Sequence, residues 1–269
     1  MSHSLSSIVT TADPRLSRDD FREIRATESA ERIVLIGVVH EHPASVHRVV
    51  QTITTLEPDI VALELPALAL PLFKQYANEY DQETWENLVK ADGTRGTVSD
   101  TIPNGGEMSA AIGTANGARV VGIDLPNVRY GGEVVDAFRE ESLSVGGMRR
   151  AFRAFGSQFS HAVHCRIAYH ASRVGVTLDP QVDAGEYGST LSTSPKEQAT
   201  EEADLVGAGT ALLRAFNRPP ALRTFDNARE AAMAEALSGL RTEGSVVAVV
   251  GHAHLDPITD RLKADSVAE

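Results

Sequence analysis

Polar side chains that can bind a metal ion or transfer a proton follow four apolar segments of this sequence. His40, Glu64 and Asp124 each come at or just after the end of such a segment, and His252 and His254 follow a fourth. Imidazole and carboxylate groups together suit Zn²⁺, Mn²⁺, Co²⁺ or Fe²⁺. A metal ion with an open position lowers the pKa of bound water, and a nearby carboxylate can accept its proton. These residue types therefore predict a metal site that could activate water, and polar residues that end strands for solubility alone are the alternative.

Residues 33–64 predict the structural unit that positions the first of these side chains. Their first four residues are apolar without alternation, as in a strand that is covered on both faces. Apolar residues at helical spacing follow Ser45, a residue type that caps helices, and Pro58 ends the pattern. A second apolar run then leads to Glu64. The segment thus predicts a β-α-β unit with parallel strands.

Two later apolar segments predict further strands of the same sheet. Residues 119–123 lead to Asp124, and the β-branched run 246–250 leads to His252 and His254. Because ligands in open α/β sheets bind at the carboxyl ends of the strands, we expect these side chains to share one edge. Helices are predicted at about 17–24, 67–90, 107–116, 133–141, 148–174, 200–216 and 226–237, a loop or flexible lid at 179–195, and a turn or short helix from Pro257.

The order of these elements predicts the α/β class, with a central, mainly parallel sheet flanked by helices in a single compact domain. A length of 269 residues is ordinary for one such domain, and no repeat or linker divides the chain. Residues 1–30 are polar and weakly patterned, so we expect a partly flexible lead-in. The α/β domain is expected over residues 31–269.

The charge of the chain argues against nucleic acid as a partner. There are 37 acidic and 25 basic residues, which gives a formal net charge of -12. Proteins that bind nucleic acid usually have the opposite sign, because Lys and Arg make the phosphate contacts. Arginine supplies nearly all the positive charge, and an acidic, lysine-poor surface is compatible with adaptation to high salt. An ordinary acidic protein is the alternative.

Composition also bears on localisation and on other classes of site. No stretch approaches the ~18 apolar residues of a membrane helix, and the N-terminus lacks the pattern of a signal peptide. We therefore expect a cytoplasmic protein with no membrane span, and homo-oligomerisation stays open. Cys165 is the single cysteine, which excludes an intramolecular disulfide and a multi-cysteine metal cluster. Dinucleotide, Walker and serine-hydrolase motifs are absent from the sequence.

Two parts of the chain resemble the TraB/PrgY/GumN family. Residues 37–40 (Gly-Val-Val-His) and 61–65 (Val-Ala-Leu-Glu-Leu) are similar to the opening of that family. Arg229 on a helix, a β-branched strand and residues 251–254 (Gly-His-Ala-His) are similar to its second characteristic region. The family is related to the Tiki metalloproteases and, more distantly, to the erythromycin esterase and ChaN-type proteins.

The resemblance implies a metal-dependent hydrolase of a peptide or of another amide or ester. It implies that His40 and His254 bind a divalent metal ion and that Glu64 is a further ligand or the general base. Arg229 matches an arginine of the family and would stabilise an oxyanion or bind a carboxylate. Glu230 follows it where family members often have aspartate, and no arginine follows Glu64 closely.

Four neighbouring residues have alternative interpretations. Glu41 would be the base in place of Glu64. His42 and His252 would hydrogen-bond the metal ligands or simply face solvent. Asp124 would fix the tautomer of a ligand histidine or cap the following turn.

Two other functions stay open at the same edge of the sheet. One is a non-catalytic protein that binds a metal, haem or a small ligand. The other is a metal-independent esterase that uses histidine and glutamate as acid and base.

Overall fold

The computed structural model describes most of the chain outside a long central stretch. The described residues are 5–9, 13–25, 32–90, 102–125, 160–173, 175–178, 187–215 and 220–268. The predicted helix at 133–141, the first part of the helix at 148–174 and much of the loop at 179–195 lie outside the described residues.

Five strands form one mixed sheet in the order β1-β2-β5-β3-β4. The strand β1 is antiparallel to β2, and every other pair of neighbours is parallel. The α/β class with a mainly parallel sheet is thereby confirmed. The strands are β1 (Phe21–Arg25), β2 (Arg32–Val38), β3 (Ile60–Pro66), β4 (Arg119–Asp124) and β5 (Val246–Gly251).

The last strand lies between the two strands of the β-α-β unit that the sequence predicts. The strands β2 and β3 are parallel but not adjacent, because β5 pairs with both. In this register Val38 is opposite Gly251, and Leu63 is opposite Val249. The residues after β5 therefore emerge between the carboxyl ends of β2 and β3, although about two hundred residues separate them along the chain.

Helices cover both faces of the sheet. Alternate residues of β2 belong to different core clusters: Val34 and Ile36 to one, Ile33 and Leu35 to the other. This alternation follows from the two-residue repeat of a strand, and each face is buried. The helices are α1 (Leu5–Val9), α2 (Pro43–Leu56), α3 (Leu70–Ala77), α4 (Gln82–Lys90), α5 (Gly106–Gly113), α6 (residues 160–172), α7 (Pro195–Ala215), α8 (Pro220–Arg241) and α9 (His252–Ala268).

The helix α2 begins earlier than the sequence predicts. His42 is its N-cap residue, with Nδ1 accepting from the Ala44 amide, and Pro43 occupies the first turn. Ser45 is therefore not the cap. Its hydroxyl oxygen accepts from the Val39 amide at 2.8 Å and links the helix to the end of β2. Proline suits this first turn because its fixed φ is helical and no intrahelical donor is lost there.

The N-terminal segment is part of the sheet. Ser17 caps only a 3-10 turn, Arg18–Asp20, and the chain then enters β1, so the helix predicted to reach Ile24 is wrong. Phe21 and Ile24 are buried, and pairing with β2 overrides the local capping signal. Residues 13–25 of the expected lead-in therefore belong to the packed fold.

Two further helix predictions differ from the structure. The helix predicted at 67–90 is divided into α3 and α4, with Pro71 in the first turn of α3. The last helix begins at His252 and contains Pro257, so the prediction that Pro257 begins it is wrong. Within the described ranges, no helix is both long and apolar enough to cross a membrane.

Candidate functional site

Glu64 lies near the end of β3, on the same face as Ile60 and Ala62. The pairing of β3 with β4 becomes irregular just there, and such irregularities redirect side chains next to active sites. The carboxylate is buried. Its Oε2 accepts from the Gly251 amide at 2.7 Å, and its Oε1 accepts from Arg229 Nη2 at 2.6 Å. Glu64 thus ties β3 to the end of β5 and to helix α8.

The charges around Glu64 keep it ionised. Burial by itself raises the pKa of a carboxyl group. The positive charges of His254, Arg229 and His40 outweigh burial here and hold the pKa of Glu64 below its ordinary value. The anion is therefore available as a ligand or as a proton acceptor at neutral pH.

Three predicted site residues converge on Gly251. A Cβ atom placed on this glycine would lie 3.4 Å from His40 Nε2, 3.5 Å from Glu64 Oε2 and 3.9 Å from His254 Cδ2. The glycine leaves this space free of its own side chain. The structure therefore brings His40, Glu64 and His254 together at one edge of the sheet, as expected for residues that follow parallel strands.

His40 forms a pair with a carboxylate that the sequence did not indicate. Its Nδ1 is 2.7 Å from Oε1 of Glu107, which is buried, whereas the His40 side chain is 53% exposed. Burial opposes protonation, but the hydrogen bond to Glu107 and the charges of Glu107 and Glu64 raise the pKa of His40 to about 9. Glu107 holds the ring so that Nε2 faces the space at Gly251.

Two glycines allow Glu107 to reach His40. Gly105 and Gly106 have φ values of 78° and 54°, and a Cβ atom on Gly106 would lie 2.8 Å from Glu41 Cγ. The second oxygen of Glu107, Oε2, accepts from the Glu41 amide at 2.7 Å. One carboxylate thereby fixes both the ring and the backbone of the turn at His40. In the sequence, only the Gly-Gly pair marked this turn, and such a pair is found in many loops.

His254 forms the second such pair, deeper in the fold. Its Nδ1 is 3.0 Å from Glu230 Oε1, and its Nε2 is 3.3 Å from Arg229 Nη1 and 3.5 Å from Glu64 Oε1. Burial lowers the pKa of His254, but the hydrogen bond to Glu230 and the charge of Glu64 raise it overall. When the ring is neutral, Nδ1 donates to Glu230 and Nε2 carries the lone pair, because a guanidinium only donates.

Arg229 is buried among acidic side chains. Its Nε and Nη2 donate to the two oxygens of Asp124 at 2.9 and 2.6 Å, and Nη2 also donates to Glu64. Asp124 Oδ1 in addition accepts from the Leu125 amide at 2.7 Å. Asp124 therefore holds the arginine and the Leu125 amide, and its described hydrogen bonds do not include a histidine.

Glu41, His42 and His252 lie beside this centre. Glu41 follows His40 directly and has a left-handed φ of 58°, a conformation that is uncommon for a residue with a side chain. The His42 ring is buried, caps α2, and has Nε2 3.5 Å from Glu201 Oε2; burial lowers its pKa. His252 Nε2 is 3.0 Å from Asp20 Oδ1, in the N-terminal segment.

Tyr187 reaches the turn at His40 from a distant part of the chain. Its hydroxyl donates to the His40 carbonyl oxygen at 2.6 Å, and its ring meets the His42 ring edge-on, with centroids 5.0 Å apart. The sequence did not indicate this residue, since nothing in its neighbourhood distinguishes it from other loop tyrosines.

The donor atoms have the chemistry of a metal site, although they are not arranged as one. Each of the two imidazoles has Nδ1 paired with a carboxylate, as in most metal-binding histidines, and Nε2 of His254 is 3.5 Å from Glu64 Oε1. Within the described part of the chain, no group of three or more His, Cys, Asp or Glu already has the arrangement of a metal site. Arg229 contacts two of the three predicted ligands. The residue types suit a divalent ion, whereas their described arrangement suits the guanidinium of Arg229.

Comparison with known proteins gives no family assignment. No family model, curated protein or solved structure matches the chain. The resemblance to the TraB/PrgY/GumN family stays a prediction from the motifs.

Proposed function

We propose that this protein is a metal-dependent hydrolase of amide or ester bonds, in a peptide or a small molecule. The divalent ion is held by Nε2 of His40, the carboxylate of Glu64 and Nε2 of His254. The observation that carries this proposal is the convergence of these three side chains on the space at Gly251. Zn²⁺, Mn²⁺, Co²⁺ and Fe²⁺ are the candidate ions, since each accepts this mixture of nitrogen and oxygen donors.

The protein residues have separate tasks in this proposal. Glu107 and Glu230 orient the two histidines. A bound ion would supply Lewis-acid chemistry, which lowers the pKa of water and polarises a carbonyl group. Glu41 accepts the proton of the attacking water in this proposal, because Glu64 is assigned as a ligand of the ion. Arg229 directs its Nε and Nη2 at carboxylates, which favours a role in holding Glu64 over the expected stabilisation of an oxyanion.

Metal content is the first test of the proposal. Elemental analysis of the purified protein is expected to find about one divalent ion per chain, since one set of donors converges. The double substitution of His40 and His254 by Ala is expected to abolish binding. His252→Ala is the matched control, because this neighbouring ring contacts Asp20. Unchanged metal content in the folded double variant contradicts the proposed ligands.

Hydrolysis without a metal is the second candidate, and the contacts of Arg229 favour it. The guanidinium compensates the charge of Glu64 and contacts His254 without any ion. In such an enzyme His40, whose pKa is raised to about 9, donates a proton as general acid, and Glu41 or Glu64 accepts one.

Chelation separates the two candidates. The protein is assayed against a panel of peptide and ester substrates before and after exhaustive treatment with a chelator. The metal-dependent enzyme loses activity and regains it with one of the four ions. Full activity in the metal-stripped protein supports the acid-base enzyme. A stoichiometric metal without turnover on any substrate indicates a binding protein.

A further inference from the structure

The guanidinium group of Arg229 holds the candidate ligands together in the described conformation. Its Nη2 is 2.6 Å from both Glu64 Oε1 and Asp124 Oδ2, and its Nη1 is 3.3 Å from His254 Nε2. All four side chains are buried. A single cation therefore contacts two carboxylates and an imidazole in the interior of the protein.

These contacts compensate a buried negative charge. A buried carboxylate without a partner is costly, and Glu64 and Asp124 lie close enough to share one guanidinium. The His40 side chain is half exposed and pairs with Glu107 instead. Arg229 thus compensates the negative charge of the buried carboxylates, as a bound metal ion would.

The same contacts compete with metal binding. The lone pair on His254 Nε2 cannot accept a hydrogen bond from Arg229 and coordinate an ion at the same time. Glu64 Oε1 is similarly engaged with Nη2. Nη2 is shared between Glu64 Oε1 and Asp124 Oδ2, whereas the hydrogen bond from Nε to Asp124 Oδ1 involves no candidate ligand. The Nε bond alone can therefore persist when Arg229 leaves the other two side chains.

We infer that Arg229 is a built-in counter-cation that competes with the metal ion for Glu64 and His254. In the metal-free protein it keeps the ligands assembled, and on metal binding it withdraws towards Asp124. Arg229 is then a positioning residue whose presence lowers the affinity for the ion. This inference rests on the proposed metal site.

The test is metal affinity in metal-stripped protein, measured by calorimetry with Mn²⁺ and with Zn²⁺. Arg229→Met keeps a long side chain but removes the charge and the donors. We expect it to bind the ion more tightly than the wild type by roughly tenfold or more, because a unit charge next to a partly buried site has a large effect. Added metal should also raise the melting temperature of this variant more than that of the wild type.

Two further variants make the result decisive. Arg223→Met removes an exposed arginine from the same helix, α8, and should leave the affinity unchanged. Arg229→Lys keeps the charge but cannot contact all three side chains at once, and an intermediate gain in affinity is expected. If Arg229→Met does not fold, Arg229→Lys alone decides.

The possible failures are distinguishable. If the wild type binds the metal and the Arg229 variants bind it equally or more weakly, Arg229 does not compete with the ion. That result overturns the inference and leaves the proposed metal site intact. Absence of binding in the wild type and in every variant overturns both the metal site and the inference that depends on it.

Discussion

The two histidines of the candidate site are held in the same way but lie in different surroundings. Each presents Nδ1 to a buried carboxylate, Glu107 for His40 and Glu230 for His254. The His40 side chain is 53% exposed and sits on a turn, whereas that of His254 is 11% exposed and belongs to a network of buried charges. The outer pair is therefore open to solvent, whereas the inner pair belongs to the buried network and is expected to contribute more to the stability of the fold.

The largest expected effect is a difference in stability between variants of the inner, buried network and variants of the outer pair. Arg229→Met leaves Glu64 and Asp124 buried without their cation, so the free energy of unfolding should fall by about 3–5 kcal/mol in metal-free buffer. His40→Ala, on the exposed side, should cost much less. Denaturant unfolding of both variants measures the difference. Equal losses would show that the two sides contribute alike to stability.

A pH titration tests the contribution of the outer pair, His40 and Glu107, to stability. The pKa of His40 is raised from 6.5 to about 9, so its pairing with Glu107 stabilises the fold fully below pH 6.5. This contribution is lost as the pH rises through about 9. We expect a loss on the order of 1 kcal/mol after allowance for solvent exposure.

Glu107→Gln is the variant that tests this titration. It should lower the pKa of His40 towards the ordinary value and flatten the pH dependence of stability over the same interval. Nuclear magnetic resonance of the imidazole protons in metal-free protein reports the pKa directly. A pKa of His40 that does not move in the variant would assign the shift to groups other than Glu107.

The smallest expected effect concerns the turn of the outer pair. Glu41 has φ 58°, and glycine adopts this conformation without the strain of a Cβ atom. Glu41→Gly should therefore raise the free energy of unfolding by about 0.5 kcal/mol, after the entropic cost of glycine is subtracted. The same variant should lose turnover if Glu41 accepts the proton.

Glu57→Gly provides the matched control for that substitution. Glu57 is also left-handed, with φ 44°, and it ends helix α2 away from the site. It should gain similar stability and keep full activity. Equal activity in the Glu41 and Glu57 variants would remove Glu41 from the proposed mechanism.

Much of the sheet was predictable because its strands carry their own signal. The continuous apolar runs at 33–36, 60–63 and 246–250 are buried on both faces, and so they require apolar residues at every position. The strand β1 was missed because only pairing with β2, and no local pattern, makes residues 21–25 extended. Ser17 caps only a short 3-10 turn before β1 begins, and the Ser45 hydroxyl accepts from the Val39 amide instead of capping α2.

The candidate site was predictable only in part, for a similar reason. His40, Glu64, Asp124 and His254 could be found because each follows a recognisable strand. Glu107 could not, since its role depends on a turn that brings α5 against the end of β2. Its identity as a partner of His40 is a property of packing between distant segments.

The amino-acid sequence by itself determined the class of the fold and the types of side chain at the carboxyl edge of the sheet. Hydrophobic periodicity is local, so it can be read without knowing which segments meet. The tertiary structure alone decided that β5 lies between β2 and β3 and that the guanidinium of Arg229 faces Glu64 and His254. Those arrangements depend on contacts between residues far apart in the chain, where the low dielectric of the interior makes each charge depend on its neighbours.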